Sequence, residues 1–65
     1  MENIEADDRL LDSILEAARI LDVGRTTIYT LIKDGDLKSI KIRNRHLVIR
    51  ASINQLIKRL LEKAA

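Results

Sequence analysis

The first stretch of the chain with a regular pattern of apolar residues has a helical period. The apolar residues that recur at i, i+3, i+4 and i+7 are Ile14, Ala17, Ala18 and Leu21. Ser13 and Glu16 have the S-x-x-E spacing of a capping box, which predicts that the helix begins at Ser13. The helix is expected to end near Leu21, because Asp22 can adopt the left-handed conformation that a tight turn requires.

A second helix is predicted after a short turn. Val23 lies in this turn, where it is expected to fill the angle between the helices, and Gly24 is the predicted N-cap. The helix runs from Arg25 to about Asp34, and Gly35 closes it as the C′ residue. Its predicted buried face consists of Ile28, Leu31 and Ile32. Its predicted outward face consists of Thr26, Thr30 and Lys33, with Tyr29 on the flank.

Beyond the second helix the pattern changes to that of strands. Ile40 and Ile42 alternate with polar residues, which predicts a strand with one solvated face. Residues 43–45, Arg-Asn-Arg, are the predicted hairpin tip, because asparagine tolerates a positive φ. Residues 46–49 return as the second strand, and their three consecutive apolar residues leave its inward register open.

The last predicted helix begins at a second capping box, formed by Ser52 and Gln55, and runs to about Lys63. Its apolar stripe consists of Ile53, Leu56, Ile57, Leu60 and Leu61. One interpretation of this stripe is packing against the hairpin and the first helix. A coiled-coil dimer is the other, and two heptads are too few to favour it.

The predicted order is therefore helix, turn, helix, two-stranded hairpin and helix. Two short helices around a tight turn are typical of a helix-turn-helix, and a hairpin directly after the second helix forms a wing. We predict a mainly α fold with a small β-hairpin, a winged helix-turn-helix over residues 10–65. A flexible acidic tail, residues 1–9, precedes it.

Composition excludes several other classes of protein. The 65 residues contain no cysteine and one histidine, so disulfides and thiolate metal sites are excluded. No catalytic constellation, phosphate loop or metal-ligand spacing is present, and we predict no enzymatic activity, metal or cofactor. No apolar run approaches the ~20 residues of a membrane span, and the acidic start is unlike a signal peptide. The expected location is the cytoplasm.

The net charge of +2 conceals an asymmetry along the chain. Residues 1–12 contain five acidic residues and Arg9, whereas residues 13–65 contain eleven Lys or Arg and five acidic residues. Residues 37–51 include five cations and no acidic residue: Lys38, Lys41, Arg43, Arg45 and Arg50. A concentrated basic segment indicates a polyanionic partner, although a solvated strand surface would have the same composition.

Two stretches together resemble a known family. EAARILDVGRTTIYTLIKDGDL, followed by KIRNRHLVIRASINQLI, is similar to the excisionase-type helix-turn-helix family, small winged-helix proteins related to the mercury-resistance regulators (MerR). The resemblance covers about residues 13–61. Its most specific parts are Glu16-Ala17-Ala18, Leu21 with Val23, Arg25-Thr26-Thr27-Ile28-Tyr29, and Leu31-Ile32-Lys33 with Gly35.

The chain departs from the family pattern at a few positions. The family often has glycine at the position of Asp22 and serine at that of Gly24. His46 and Leu47 stand where aromatic and basic residues are common, and Ile49 stands where proline is common. The turn and the second wing strand are therefore the parts to which the resemblance extends least.

The resemblance implies a DNA-binding accessory protein. Excisionases bind beside a recombination site, bend the DNA, and steer a tyrosine recombinase towards excision, often as several cooperating copies. Other members of the group are small transcription regulators of mobile elements, and the sequence does not separate the two roles. A protein-interaction module that uses the last helix is an alternative of a different class.

The predicted contacts divide into base reading and phosphate binding. Arg25 is the candidate for bidentate bonding to guanine, with a phosphate contact as the alternative. Tyr29 is predicted to bind a phosphate or to complete the core, or both. The wing tip lies along the backbone or enters the minor groove, and His46 is expected to be an ordinary strand histidine. The full predicted DNA-binding set is Arg25, Thr26, Thr27, Tyr29, Thr30, Lys33, Lys41, Arg43, Asn44 and Arg45.

Overall fold

The computed structural model of the chain describes residues 9–64. The predicted acidic tail, apart from Arg9, lies outside the described residues. In chain order the elements are β1 (Leu11–Ser13), α1 (Ile14–Leu21), α2 (Arg25–Lys33), β2 (Ser39–Ile42), β3 (Arg45–Ile49) and α3 (Arg50–Ala64). The predicted winged helix-turn-helix is confirmed, with one strand, β1, that the sequence pattern did not indicate.

Helix α1 begins and ends where the sequence predicts. The Ser13 side chain accepts a 3.0 Å hydrogen bond from the Glu16 backbone N–H, so the first capping box is confirmed. Asp22 follows the helix at φ 57° and ψ 47°, in the left-handed region. Val23 does not fill the angle between the helices as predicted. It is 37% exposed and lies outside the core, and its backbone N–H bonds to the Ala18 carbonyl as part of the helix end.

Helix α2 is also bounded as predicted. Gly24 is its N-cap with extended backbone angles, φ −80° and ψ 165°, and Gly35 beyond its C-terminus has φ +86°. Ile28 is fully buried, while Leu31 and Ile32 are partly buried against the core. The predicted apolar face of α2 is therefore confirmed.

The three strands form one antiparallel sheet in the order β1-β3-β2. Leu11 pairs with Ile49 at one end of β1, and Ser13 pairs with Leu47 at the other. Sequence periodicity could not identify β1, because three residues are too few to show a period of two. The strand places Ser13, the N-cap of α1, directly beside the wing strand β3.

The buried face of the sheet is the opposite of the one predicted for β2. Val48 is the fully buried position of β3, and its partners across the sheet are Asp12 and Ser39. Because directly opposed residues share a face and side chains alternate along a strand, Ile40 and Ile42 point to the other face. Both are exposed, so the prediction that they face inward is wrong.

The conformation of the wing tip also differs from the prediction. Ile42 pairs with Arg45, which leaves a two-residue loop of Arg43 and Asn44. The positive φ, 55°, belongs to Arg43 and not to Asn44. A positive φ at the first loop residue is typical of a type II′ turn, in which glycine is the usual residue.

Helix α3 begins at Arg50, two residues before the predicted capping box. Ser52 lies inside the first turn and is buried, where its hydroxyl donates to the Ile49 carbonyl at 2.7 Å. The same oxygen accepts a 3.0 Å bond from the Lys38 backbone N–H. The second capping box is therefore wrong, since Ser52 connects α3 to the segment that enters the wing.

Only the first half of the apolar stripe on α3 reaches the core. Ile53 and Leu56 are buried and Ile57 packs against them, but Leu60 and Leu61 are 54% and 65% exposed. Arg59 bonds Asp36 at 2.9 Å and holds the middle of the helix near the end of α2. None of the helices within residues 9–64 is long and apolar enough to cross a membrane.

A small aliphatic cluster joins the three helices, β3 and the segment between α2 and β2. Its buried members are Ile14, Ala17, Ala18, Ile28, Leu37, Val48, Ile53 and Leu56. Ala17 and Ala18 let α2 approach α1 closely, as their small size predicts. The cluster contains no aromatic ring.

A buried ion pair connects β1 to the first residue of α3. The Asp12 carboxylate is fully buried and accepts two hydrogen bonds from Arg50, at 2.6 Å from Nε and 2.8 Å from the terminal nitrogen Nη2. The Arg50 backbone N–H also donates to the Leu10 carbonyl at 2.9 Å. A bidentate arginine–carboxylate pair has the strongest geometry for such a bond. It therefore fixes β1 against the start of α3.

Replacing Asp12 with alanine is expected to lower the free energy of unfolding by about 3–5 kcal/mol, because it removes a buried carboxylate and both of its hydrogen bonds from Arg50. A domain of this size has about that much stability in total, so the variant should be largely unfolded at 25 °C. Urea unfolding followed by circular dichroism measures the effect.

The control for this prediction is Arg9→Ala. Arg9 is exposed and lies 3.8 Å from the same carboxylate, so its loss should change stability by less than about 1 kcal/mol. The double replacement Asp12→Leu with Arg50→Met should recover much of the loss, since a matched apolar pair leaves no charge buried. An Asp12→Ala variant as stable as the parent would contradict the structural role of the pair.

Candidate nucleic-acid interface

The outward face of α2 is polar and open to solvent. Every predicted DNA-contacting residue of this helix is exposed: Arg25, Thr26, Thr27, Tyr29, Thr30 and Lys33. Arg25 is the first helical residue, and Lys33 is the last. The nine residues of α2 therefore carry a cation at each end and hydroxyl groups between them.

One of these hydroxyl groups is already engaged within the helix. Thr30 Oγ1 donates a 3.1 Å hydrogen bond to the carbonyl of Thr26, one turn earlier. The hydroxyl proton is thus directed into the helix, which leaves the methyl group and the oxygen lone pairs for contact with a ligand. Thr30 is accordingly suited to a thymine methyl more than to donating a hydrogen bond.

The N-terminus of α2 lacks a side-chain cap. Gly24 supplies no side-chain hydrogen bond, and the first backbone bond of the helix runs from the Ile28 N–H to the Gly24 carbonyl at 3.2 Å. The N–H groups of Arg25, Thr26 and Thr27 precede this bond in the chain. Such groups at a helix start are natural partners for an anionic oxygen.

The wing extends the exposed polar surface beyond α2. Lys41, Arg43, Asn44 and Arg45 are all exposed. Lys41 shares the face of Ser39 and Val48, whereas Arg45 shares the opposite face with Ile42. The tip therefore presents cations on both sides of the hairpin.

The cations of α2 and the wing differ from the four arginines elsewhere in the described residues. Arg9, Arg19, Arg50 and Arg59 each form an ion pair with a carboxylate. Within residues 9–64, no ion pair is formed by Arg25, Lys33, Lys41, Arg43 or Arg45. Their charge is thus not neutralised by a neighbour, and an anionic ligand would not have to displace one.

Arg50 belongs to the scaffold and not to this basic surface. The sequence places it in the acid-free segment 37–51, but its side chain is 18% exposed and bonds Asp12. The positive surface of that segment is therefore smaller than its composition suggests.

Sequence reasoning missed a contact between α2 and the wing. The rings of Tyr29 and His46 lie 5.7 Å apart between centroids, at an interplanar angle of 46°. His46 Nε2 also shares a 2.9 Å hydrogen bond with the hydroxyl of Ser39 on β2. Tyr29 is 47% exposed and lies outside the core cluster, so its ring packs on the wing instead of completing the core. The sequence pattern left open which side of β3 faces inward. Once Val48 is known to be buried, alternation along the strand places His46 on the same face, towards the helices.

A short helix pair around a left-handed turn, with an exposed polar second helix and a basic hairpin beside it, defines a winged helix-turn-helix of the DNA-binding class. The helix-turn-helix domain family matches residues 13–60, which is more than half of the chain. The chain belongs to this family of excisionase-type helix-turn-helix domains, which are typically DNA-binding and non-enzymatic. No curated protein and no solved structure matches the chain.

Because Arg43 has a positive φ, two substitutions at this position should differ in stability but not in DNA affinity. Glycine adopts a positive φ without steric cost, so Arg43→Gly should be about 1 kcal/mol more stable than Arg43→Ala. Both variants remove the guanidinium, so both should lose the same DNA affinity. Thermal unfolding and DNA titration of the two proteins provide the comparison. Equal stabilities would contradict the conformation assigned to Arg43.

Proposed function

We propose that this chain is a sequence-specific double-stranded DNA-binding protein that acts as an excisionase-like recombination directionality factor. The observation that carries the DNA-binding part is the set of exposed cations on α2 and the wing that have no carboxylate partner within residues 9–64. The fold and the family support the same conclusion. The chain functions without catalysis or a cofactor, in the cytoplasm, as a single domain over residues 10–65.

In the proposed complex α2 lies in the major groove and the wing lies over the adjacent minor groove. Arg25 reads a guanine edge, and the methyl groups of Thr26 and Thr30 contact neighbouring bases. Thr27 and Lys33 bind backbone phosphates at either end of the helix. Arg43, Asn44 and Arg45 at the wing tip contact the minor groove, whose narrow regions attract arginine.

The excision role is proposed from the family resemblance, and a small transcription regulator of a mobile element would make the same contacts. The partners proposed for excision are a tyrosine recombinase and further copies of this chain on neighbouring sites. An excision assay with a tyrosine recombinase encoded beside this chain separates the roles. Stimulated excision supports our proposal, whereas unchanged excision with an altered level of neighbouring transcription favours the regulator.

DNA affinity is expected to fall steeply with salt concentration. If Lys33, Lys41, Arg43 and Arg45 each neutralise one phosphate while Arg25 reads a base, the slope of log K against log salt should be about −3.6, at ~0.9 per contact. Fluorescence anisotropy titrations of a labelled duplex at several salt concentrations measure the slope. Absent binding, or an affinity indifferent to salt, would refute the DNA-binding proposal.

Arg25→Ala is expected to relax sequence preference more than it weakens binding to unrelated DNA. A bidentate contact to guanine discriminates by about 1–3 kcal/mol, and that discrimination should disappear at one base position. Selection from a random duplex pool with the parent and the variant shows which position becomes degenerate. Lys33→Ala is the matched control, because a phosphate contact should weaken all duplexes alike. A uniform loss with Arg25→Ala would reassign that residue to phosphate binding.

The exposed leucines of α3 allow a test against the protein-interaction alternative. Leu60 and Leu61 lie on the half of α3 that extends beyond the core. If DNA binding is the primary function, Leu60→Ala with Leu61→Ala should leave the affinity of one copy for a short duplex within about twofold of the parent. A variant that keeps full affinity for DNA but loses all biological effect would favour the interaction module.

A further inference from the structure

Helix α2 meets the wing where the Tyr29 ring packs on His46, and Lys41 is the cross-strand partner of His46. These three residues are called the corner. Lys41 and His46 are direct partners across β2 and β3, so their side chains lie on the same face of the wing. Val48 lies two residues after His46 on β3, so its side chain is on the same face, and it is fully buried in the core. The face of Lys41 and His46 is therefore the one turned towards the helices, and Tyr29 of α2 meets it there.

His46 is the one member of the corner that contacts both elements. Its ring is held to β2 by the 2.9 Å bond to Ser39 and packs against Tyr29 at 5.7 Å between centroids. Lys41 and Tyr29 are exposed, whereas His46 is half-buried. The half-buried ring of His46 thus limits the positions that the Tyr29 phenol can adopt.

Groove geometry indicates which part of the DNA faces this corner. A protein with a helix in the major groove and a hairpin over the adjacent minor groove straddles the sugar-phosphate strand that separates the two grooves. The surface between helix and hairpin faces that strand. In this chain the surface offers a phenol hydroxyl, which can donate a hydrogen bond, and an ammonium group with no ion pair in the described residues.

We propose that Tyr29 and Lys41 bind one and the same backbone phosphate, and that His46 is a positioning residue that orients the Tyr29 hydroxyl towards it. This inference rests on the proposed DNA binding and adds a defined phosphodiester site to it. Its distinctive consequence is energetic coupling between a half-buried ring on the wing and a hydroxyl on the recognition helix.

A double-mutant cycle tests the positioning role. Tyr29→Phe removes only the hydroxyl and keeps the ring contact, and it should weaken binding about tenfold on every duplex, as expected for a hydrogen bond to a charged group. In a His46→Ala background the same change should cost less than about twofold, because the hydroxyl is no longer held in place. Equal costs in both backgrounds would overturn the proposal.

The control for the cycle is Arg45→Ala. Arg45 lies on β3, as His46 does, but its side chain is on the opposite face of the sheet. Tyr29→Phe should cost its full tenfold in that background, since Arg45 shares no hydrogen bond or ring contact with Tyr29 in the described residues, and sites without shared partners act independently. Circular dichroism melting of each variant establishes that it is folded at the titration temperature. If His46→Ala does not fold, His46→Leu takes its place, because it lacks the planar ring but retains apolar bulk at the same position.

A phosphate scan tests the shared site with surface variants alone. A duplex selected by the parent chain is prepared with one neutral methylphosphonate at each backbone position in turn. One position should weaken the parent about tenfold yet have no further effect on either Tyr29→Phe or Lys41→Gln. Two different positions, or none, would overturn the proposal of a shared phosphate.

The same experiment separates failure of this inference from failure of the proposed function. If the parent chain binds no unmodified duplex, the DNA-binding proposal fails and the phosphate site fails with it. If the parent binds with a steep salt dependence but no backbone position is shared, the DNA-binding proposal stands and only the corner assignment fails.

Discussion

The fold depends on one buried ion pair, between Asp12 and Arg50. A carboxylate without solvent contact is tolerated only with full compensation, and the two bonds from Arg50 supply it. The pair connects β1 to the start of α3, so the strand that ends in the Ser13 cap cannot separate from the helix that closes the core. In a domain whose cluster contains only aliphatic side chains, this single connection is comparable with the whole net stability.

The position of this connection determines which charges are available for binding. Arg50 bonds the buried Asp12 carboxylate, and Arg19 and Arg59 pair with nearby carboxylates. The cations left without such partners in the described chain include those of α2 and the wing. The net charge of the chain therefore does not show how unevenly the positive electrostatic potential is distributed. An arginine that is paired with a carboxylate adds little to the potential beyond a few ångströms.

Local signals predicted the helices well and the sheet poorly. The Ser13 cap, the left-handed Asp22 and the positive φ at Gly35 depend on chemistry within a few residues, and the sequence displays them directly. The inward position of Val48 depends on its pairing with Asp12 and Ser39, which are 36 and 9 residues away in the numbering. Ile40 and Ile42 were predicted to be buried because they alternate with polar residues. Alternation shows that the two faces of a strand differ, but not which face the core covers. The Ser52 motif failed for the same reason, since Lys38 is its distant partner.

The wing tip illustrates how binding and stability make opposing demands on one residue. Arg43 occupies a left-handed position at which glycine would have no steric strain, and it carries a cation without an ion pair in the described residues. Strain of about 1–3 kcal/mol persists in proteins where the rest of the structure holds it, and it concentrates at functional sites. The two-residue loop is held by the Ile42–Arg45 pair and, further along the strands, by the burial of Val48. The cationic tip of the wing is thus sustained by the same sheet that the Asp12–Arg50 pair anchors to the core.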